Sequence, residues 1–228
     1  MEGSAMPRPA RKILSACLFL TGCAIPLTAF ADRPALDGRG SVGYFTYKSK
    51  YANSNDTGLR YDYAAALYAG NSRGMGMIMR GNLQSANFAL VTKKLDSSTL
   101  DFIIRSHLGP LYFGPMFGMS NYKFTESGST TFDLNERHYG GNVGLEMDII
   151  RNGLMRIDAL ITNQYDYKEV TNQTVTLGMR VEGDVSFDLM FSKKFGAVVG
   201  GKYIMYSLQS QAEAITMPYA GLRARLDF

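Results

Sequence analysis

Apolar and polar residues alternate with a period of two along much of this chain, the pattern of a strand with two unlike faces. From Thr99 to Leu108 the even positions Leu100, Phe102, Ile104 and Leu108 are apolar, apart from Ser106, while Asp101, Arg105 and His107 hold odd positions. From Thr174 to Phe191 the odd positions run Val175, Leu177, Met179, Val181, Gly183, Val185, Phe187, Leu189 and Phe191. Their even partners include Arg180, Glu182, Asp184 and Asp188. Parity survives Glu182-Gly183-Asp184, which predicts one long strand rather than a hairpin at that point. Leu59–Ala69, Met75–Leu83, His138–Ile150, Met155–Tyr167, Ala197–Tyr206 and Tyr219–Phe228 alternate with less contrast. Ser41–Lys48 and Leu111–Tyr122 are strand-like, with glycines and aromatics on both faces. The count is ten strands, with eight as the alternative if one pair is misread.

The connections sort into two kinds. Asn71-Ser72-Arg73-Gly74, Gly109-Pro110, Arg151-Asn152-Gly153 and Ser192-Lys193-Lys194-Phe195 carry the glycine, proline, asparagine or charge that a tight reversal needs. Every second connection is of this kind. The others, Tyr51–Thr57, about Gln84–Ser98, Lys123–Arg137, Lys168–Asn172 and Gln209–Met217, are polar and mostly longer. Past residue 31 no apolar run approaches the ~20 residues of a membrane helix, so a membrane would be crossed only by a closed antiparallel, up-and-down barrel.

The closing segment is the most specific. In Tyr219–Phe228, Ala220, Leu222, Ala224, Leu226 and Phe228 alternate with Gly221, Arg223, Arg225 and Asp227, and the strand stops on phenylalanine. This resembles the terminal strand of small Gram-negative outer-membrane β-barrels, by which assembly machinery recognises the unfolded chain. The resemblance spans nearly all of residues 40–228 and is one of architecture, not of a particular family. It implies an all-β transmembrane barrel in the cell outer membrane, with short periplasmic turns and longer extracellular loops. Leu222, Leu226 and Phe228 would be the assembly signal. The implied partners are outer-membrane lipid and lipopolysaccharide, the barrel-assembly machinery and periplasmic chaperones, with the barrel as a monomer.

The N-terminal region fits an exported protein. Arg8, Arg11 and Lys12 precede an apolar run from Ile13 to Phe30, and Ala29-Phe30-Ala31 offers small residues at the two positions a signal peptidase reads. Residues 1–31 are therefore expected to be a cleaved signal peptide, cut between Ala31 and Asp32. Residues 32–39 would be a short periplasmic segment ahead of the first strand, and residues 40–228 the barrel. Leu20-Thr21-Gly22-Cys23 resembles a lipobox, so acylation of Cys23 is the competing outcome.

Composition adds constraints. The formal charge of +4 falls to +2 once Arg8, Arg11, Lys12 and Glu2 leave with the leader, and no basic face interleaved with aromatics is present to track nucleic acid. Both cysteines, Cys17 and Cys23, lie in the leader, which argues against disulfide or thiolate chemistry in the mature chain. With two histidines in all, no metal site and no cofactor is expected.

Inward parity places Arg60, Arg80, Arg105, Arg156, Arg180, Lys202, Arg223 and Arg225 in the lumen with Asp62, Asp101, Glu146, Asp148, Asp158, Glu182, Asp184, Asp188 and Asp227. The signs nearly balance. Because a lone buried ion costs several kcal/mol, these groups are expected to pair into a plug, or else to line a narrow pore. A structural or surface role, or narrow conduction, follows. Two alternatives differ in class. A lipid-modifying hydrolase would use His138 beside Glu136, read as lying at the outer end of its strand, with His107 near the periplasmic rim; neither carries the neighbouring serine at the short spacing that lipid-hydrolysing barrels show, so no catalytic residue is assigned. A secreted soluble β-sandwich also alternates, but its polar face would favour Lys, Glu and Thr over the Gly, Ala, Arg and Asp found here. Lys93 and Lys94 lead the basic residues, with Lys123 and Arg137 among the rest, that would meet lipopolysaccharide phosphates.

Overall fold

The computed structural model describes residues 35–48, 56–69, 75–88, 93–126, 129–169, 177–208 and 211–227. Ten strands run in chain order: β1 (Ala35–Lys48), β2 (Asp56–Ala69), β3 (Met75–Phe88), β4 (Lys93–Leu108) and β5 (Leu111–Glu126), then β6 (Ser129–Ile150), β7 (Gly153–Glu169), β8 (Leu177–Met190), β9 (Phe195–Leu208) and β10 (Gln211–Asp227). Each pairs antiparallel with its sequence neighbours, and β1 pairs with β10, so the sheet closes on itself. Closure gives every strand two partners and leaves no edge, the condition for a sheet in hydrocarbon. It removes the sandwich, which has open edges, and the eight-strand alternative.

Short reversals cluster at one end. Gly109 takes φ of +61°, a left-handed conformation open to glycine at little cost, and with Pro110 it joins β4 to β5 in two residues. Residues 151–152 join β6 to β7. Between β8 and β9, the Ser192 hydroxyl accepts hydrogen bonds from the backbone N–H groups of Lys194 (3.2 Å) and Phe195 (3.0 Å). The start of β1 and the end of β10 lie at this same end, which is the periplasmic one by the short-turn rule. The expected turn at 71–74 falls outside the described residues, as do Ala31, Asp32, Cys23 and Phe228.

Two expectations change. β1 begins at Ala35 rather than Ser41: Leu36 pairs with Leu226 on one side and Leu67 on the other. Its early turns escape a hydropathy reading because Gly38 and Gly40 hold the outward positions where apolar residues would mark a strand. The external connections are largely strand as well. β3 continues to Phe88, β4 starts at Lys93, β5 reaches Glu126, and β6 starts at Ser129 and runs for 22 residues. Along these extensions the inward positions, such as buried Gln84, Ser97 and Glu136, are polar like the outward ones, so the alternation of apolar and polar residues disappears.

The outer wall is apolar. Val42, Met77, Phe117, Ile161, Val185 and Leu222 are among its exposed large side chains, and Phe102 stacks on Phe117 at 5.2 Å between ring centroids. Charged side chains described on this wall, Lys94, Asp96, Lys123 and Arg137, lie toward the external ends of β4, β5 and β6. In the lumen aromatic rings lie across a glycine on the neighbouring strand, as Phe45 does over Gly58 and Tyr112 over Gly144. A Cβ at Gly58 would stand 2.4 Å from the Phe45 ring, so the glycine makes room for the aromatic.

Candidate functional site

The lumen concentrates the chain's buried chemistry. Because period two sends every second residue inward, strands on opposite sides of the barrel present charges to each other. β3 and β8 are diametrically opposed in the ten-strand circle. Across that diameter the Arg80 guanidinium forks onto Glu182 at 3.1 and 3.2 Å, and its Nε donates to Asp101 at 2.9 Å. Arg180 donates to Glu182 (3.0 Å) and Asp101 (3.3 Å). Lys202 reaches Asp62 at 3.0 Å, Glu182 at 3.6 Å and Asp184 at 3.7 Å, while Arg60 holds the other Asp62 oxygen at 2.8 Å. Tyr219 donates to Asp184 at 2.7 Å. These groups form one web spanning the lumen.

His138 hangs from the web's edge, fully buried. Its Nε2 lies 2.6 Å from Asp101 and its Nδ1 3.2 Å from Glu136. Glu136 and His138 share a face because they are two residues apart on β6. Asp101 comes from β4, so the contact passes over β5 at Gly118, where a Cβ would stand 2.5 Å from His138 Nε2 and 2.6 Å from Asp101 Oδ1. The expected rim histidine is therefore a lumenal one, because β6 starts nine residues before it. Beside it the Thr99 and Ser120 hydroxyls share a hydrogen bond of 3.0 Å.

Toward the periplasm a second group forms. Arg223 joins Asp37 (2.9 Å) and Asp188 (2.8 Å), and Arg39 also contacts Asp188. Arg156 is held by Glu146 at 2.8 Å. Arg105 bonds Asn142 (2.9 Å) and Asp158 (3.2 Å) and lies 4.0 Å over the Tyr112 ring. His107 packs against Tyr68 and Tyr112. A cavity of about 110 Å³ lies between the two groups, lined by charged side chains from both and by Ala66, Ile78 and Ile103.

Above the web, toward the external end, an apolar cluster enters the lumen beside the buried Gln84 and Ser97. Phe45, Ile204, Ile215 and Met217 are essentially inaccessible to water, with Tyr122 packed against them. Tyr122 belongs to β5 and Met217 to the opposed β10, so this layer also crosses the barrel.

Of the residues assigned inward from sequence, fourteen charged ones meet in these networks. Asp148 is exposed at the periplasmic rim, Arg225 is half-buried there, and the side chain of Asp227 is outside the described ones. Leu222 and Leu226 point outward. The sequence reading missed Asp37 and Arg39, which precede the expected first strand, and the inward placement of Glu136 and His138. Their charge at alternating positions was the available signal. Among the described residues no cluster has the geometry to hold a metal ion.

No protein-family model matches the chain, and no curated protein matches its sequence. Solved structures are similar at low identity. The translocator domain of the autotransporter NalP from Neisseria meningitidis matches with a TM-score of 0.47 at 9% identity, over 95% of this chain and 95% of that one. The outer membrane protease OmpT from Escherichia coli matches at 0.49 and 10%, over 86% and 97%. Neisserial surface protein A matches at 0.40 and 10%, over 83% and 97%. At these values the likeness concerns overall shape alone. The closed ten-strand circle, the apolar outer wall and the polar interior are what a sheet needs to sit in a bilayer, and they give this chain the fold of a small membrane-spanning β-barrel.

Proposed function

We propose that the protein serves as a plugged, non-conducting barrel with a structural or surface role in the outer membrane. The observation that carries this reading is the Arg80 fork on Glu182 across the full diameter of the lumen. Charges held this way are not free to escort ions, and the apolar layer of Phe45, Ile204, Ile215 and Met217 stands above them. A hydrolase role for His138 has less support, since the ring is buried with its Nε2 held by Asp101 and its Nδ1 3.2 Å from Glu136.

The test is conductance of the refolded protein in planar bilayers, with lipid-hydrolysis products followed in parallel. The parent is expected to give no discrete current steps and to release no fatty acid. Replacing Arg80 and Glu182 together by alanine, with Phe45→Ala, is expected to produce small steps, since the crossing side chains and the lid are then gone. Discrete steps from the parent would establish a narrow pore instead, and released fatty acid an enzyme.

A further inference from the structure

One carboxylate beside the lumenal web lacks the cation that each of the others has. Asp62 is held by Arg60 and Lys202, Asp101 and Glu182 share Arg80 and Arg180, and Asp184 meets Lys202. Glu136 is as buried as they are, yet among the described residues no arginine or lysine pairs with it, and neither of its oxygens accepts a hydrogen bond. Ser120 stands opposite it in the register, but that hydroxyl is shared with Thr99 at 3.0 Å. What faces Glu136 is the His138 ring, with Nδ1 3.2 Å from Oε1.

We infer that His138 is a proton-operated lock on the plug: a ring with protons on both nitrogens, which ties β4 to β6 across β5 and gives Glu136 its counter-charge. Asp101 is an ionised acceptor, because Arg80 donates to its Oδ2 at 2.9 Å and Arg180 at 3.3 Å. Nε2, 2.6 Å from the other Asp101 oxygen, must therefore donate, and it carries one proton. In a neutral ring the Nδ1 lone pair would then face the Glu136 carboxylate, lone pair against anion. A second proton, on Nδ1, turns that contact into an ion pair. The same proton balances the web, whose arginines and lysine otherwise face one carboxylate too many. Among the described residues around the ring no other group supplies that charge. Thr99 on β4, Gly118 and Ser120 on β5 and Thr162 on β7 are neutral, and Arg180 on β8 is engaged by Asp101 and Glu182.

The lock deepens the plugged lumen proposed above and rests on it. When the second proton leaves, Glu136 is stranded as a buried anion at the edge of the web, which loosens β6 from β4. The stabilisation is complete below about pH 6.5, where an unfolded imidazole is protonated as well, and it is lost as rising pH strips the proton from the folded ring.

Protein labelled with 15N-histidine and refolded in detergent micelles reports the ring directly, and His107→Gln assigns the two histidines. At about pH 7 both His138 ring nitrogens are expected at imidazolium shifts. Urea midpoints of the parent and of His107→Gln are expected to fall alike as pH rises from about 6 to about 9. Glu136→Gln, which needs no counter-charge, is expected to leave Nδ1 unprotonated at about pH 7 and to flatten the midpoint profile. His138→Gln should flatten it too. A neutral His138 ring in the parent, or midpoints that fall as steeply in Glu136→Gln as in the parent, would overturn the lock. Planar-bilayer recordings at about pH 6 keep the two readings apart. Discrete steps from the parent there would overturn the plug, whereas silence there with a neutral ring would overturn the lock alone.

Discussion

Gly118 shows how a residue with no side chain can organise charges on its neighbours. Asp101 and His138 stand on β4 and β6 and meet over β5 only because Gly118 leaves the gap open. Gly118→Val would drive its side chain into both groups and into the Leu100 carbonyl, 2.5 Å from the ideal Cβ. Separating a buried pair strands its charge, which costs about 3–5 kcal/mol, whereas removing both partners together often costs little. Urea unfolding of the refolded barrel should show Gly118→Val destabilised on that scale. Gly141→Ala, whose added carbon meets nothing nearer than 3.8 Å, should unfold close to the parent. Equal midpoints for Gly118→Val and the parent would mean that the pair does not depend on the gap. The same logic explains why β5 was hard to read from sequence. Its residues are matched to side chains on neighbouring strands, as Tyr112 is to Gly144, and not to a contrast between its own two faces.

Whole strands were legible where the faces differ in charge and illegible where they do not. β8 alternates Arg180, Glu182, Asp184 and Asp188 with apolar partners, and its single long strand is what the structure contains. β1 opens with Asp37-Gly38-Arg39-Gly40, where glycine outside and charge inside give no hydropathy signal. The consequence is that the stretch read as a periplasmic lead-in supplies two members of the lower charge group, Asp37 and Arg39. β8 also supplies a depth test. Val185 is half exposed on the outer wall near the middle of the strand, and Phe191 is exposed at the periplasmic turn. An arginine facing lipid costs about 2–4 kcal/mol at the midplane and about 0–1 kcal/mol near the interface. Val185→Arg should therefore be destabilised by the larger amount and Phe191→Arg by the smaller, as read from urea midpoints in phospholipid vesicles. Equal tolerance of the two would mean that β8 does not face hydrocarbon at Val185.

The molecule as a whole depends on one contact that no local pattern announces, the seam between its first strand and its last. Alternation identifies strands and short turns order them into hairpins, but an open sheet of ten strands would satisfy both. What selects closure is the pairing of β1 with β10, in which Arg39 lies opposite Arg223 and Val42 opposite Ala220. The two arginines avoid conflict because Asp188 contacts both and Asp37 pairs with Arg223. Val42 and Ala220 both point outward, where an oxidant can reach them. Directly opposed residues on antiparallel strands have Cα atoms about 4.5–5.5 Å apart, within the range a disulfide spans. Cysteines placed at both positions, in a chain started at Asp32 so that Cys17 and Cys23 are absent, should therefore oxidise to an intramolecular disulfide in the folded protein. The bond would close a loop around nearly the whole chain, so boiled, non-reduced samples should run faster on a denaturing gel than reduced ones. Cysteines at Val42 and Val143, which face outward on distant strands, should give no such shift. A folded, heat-modifiable protein whose Val42/Ala220 pair fails to oxidise would show that the seam is not built in this register.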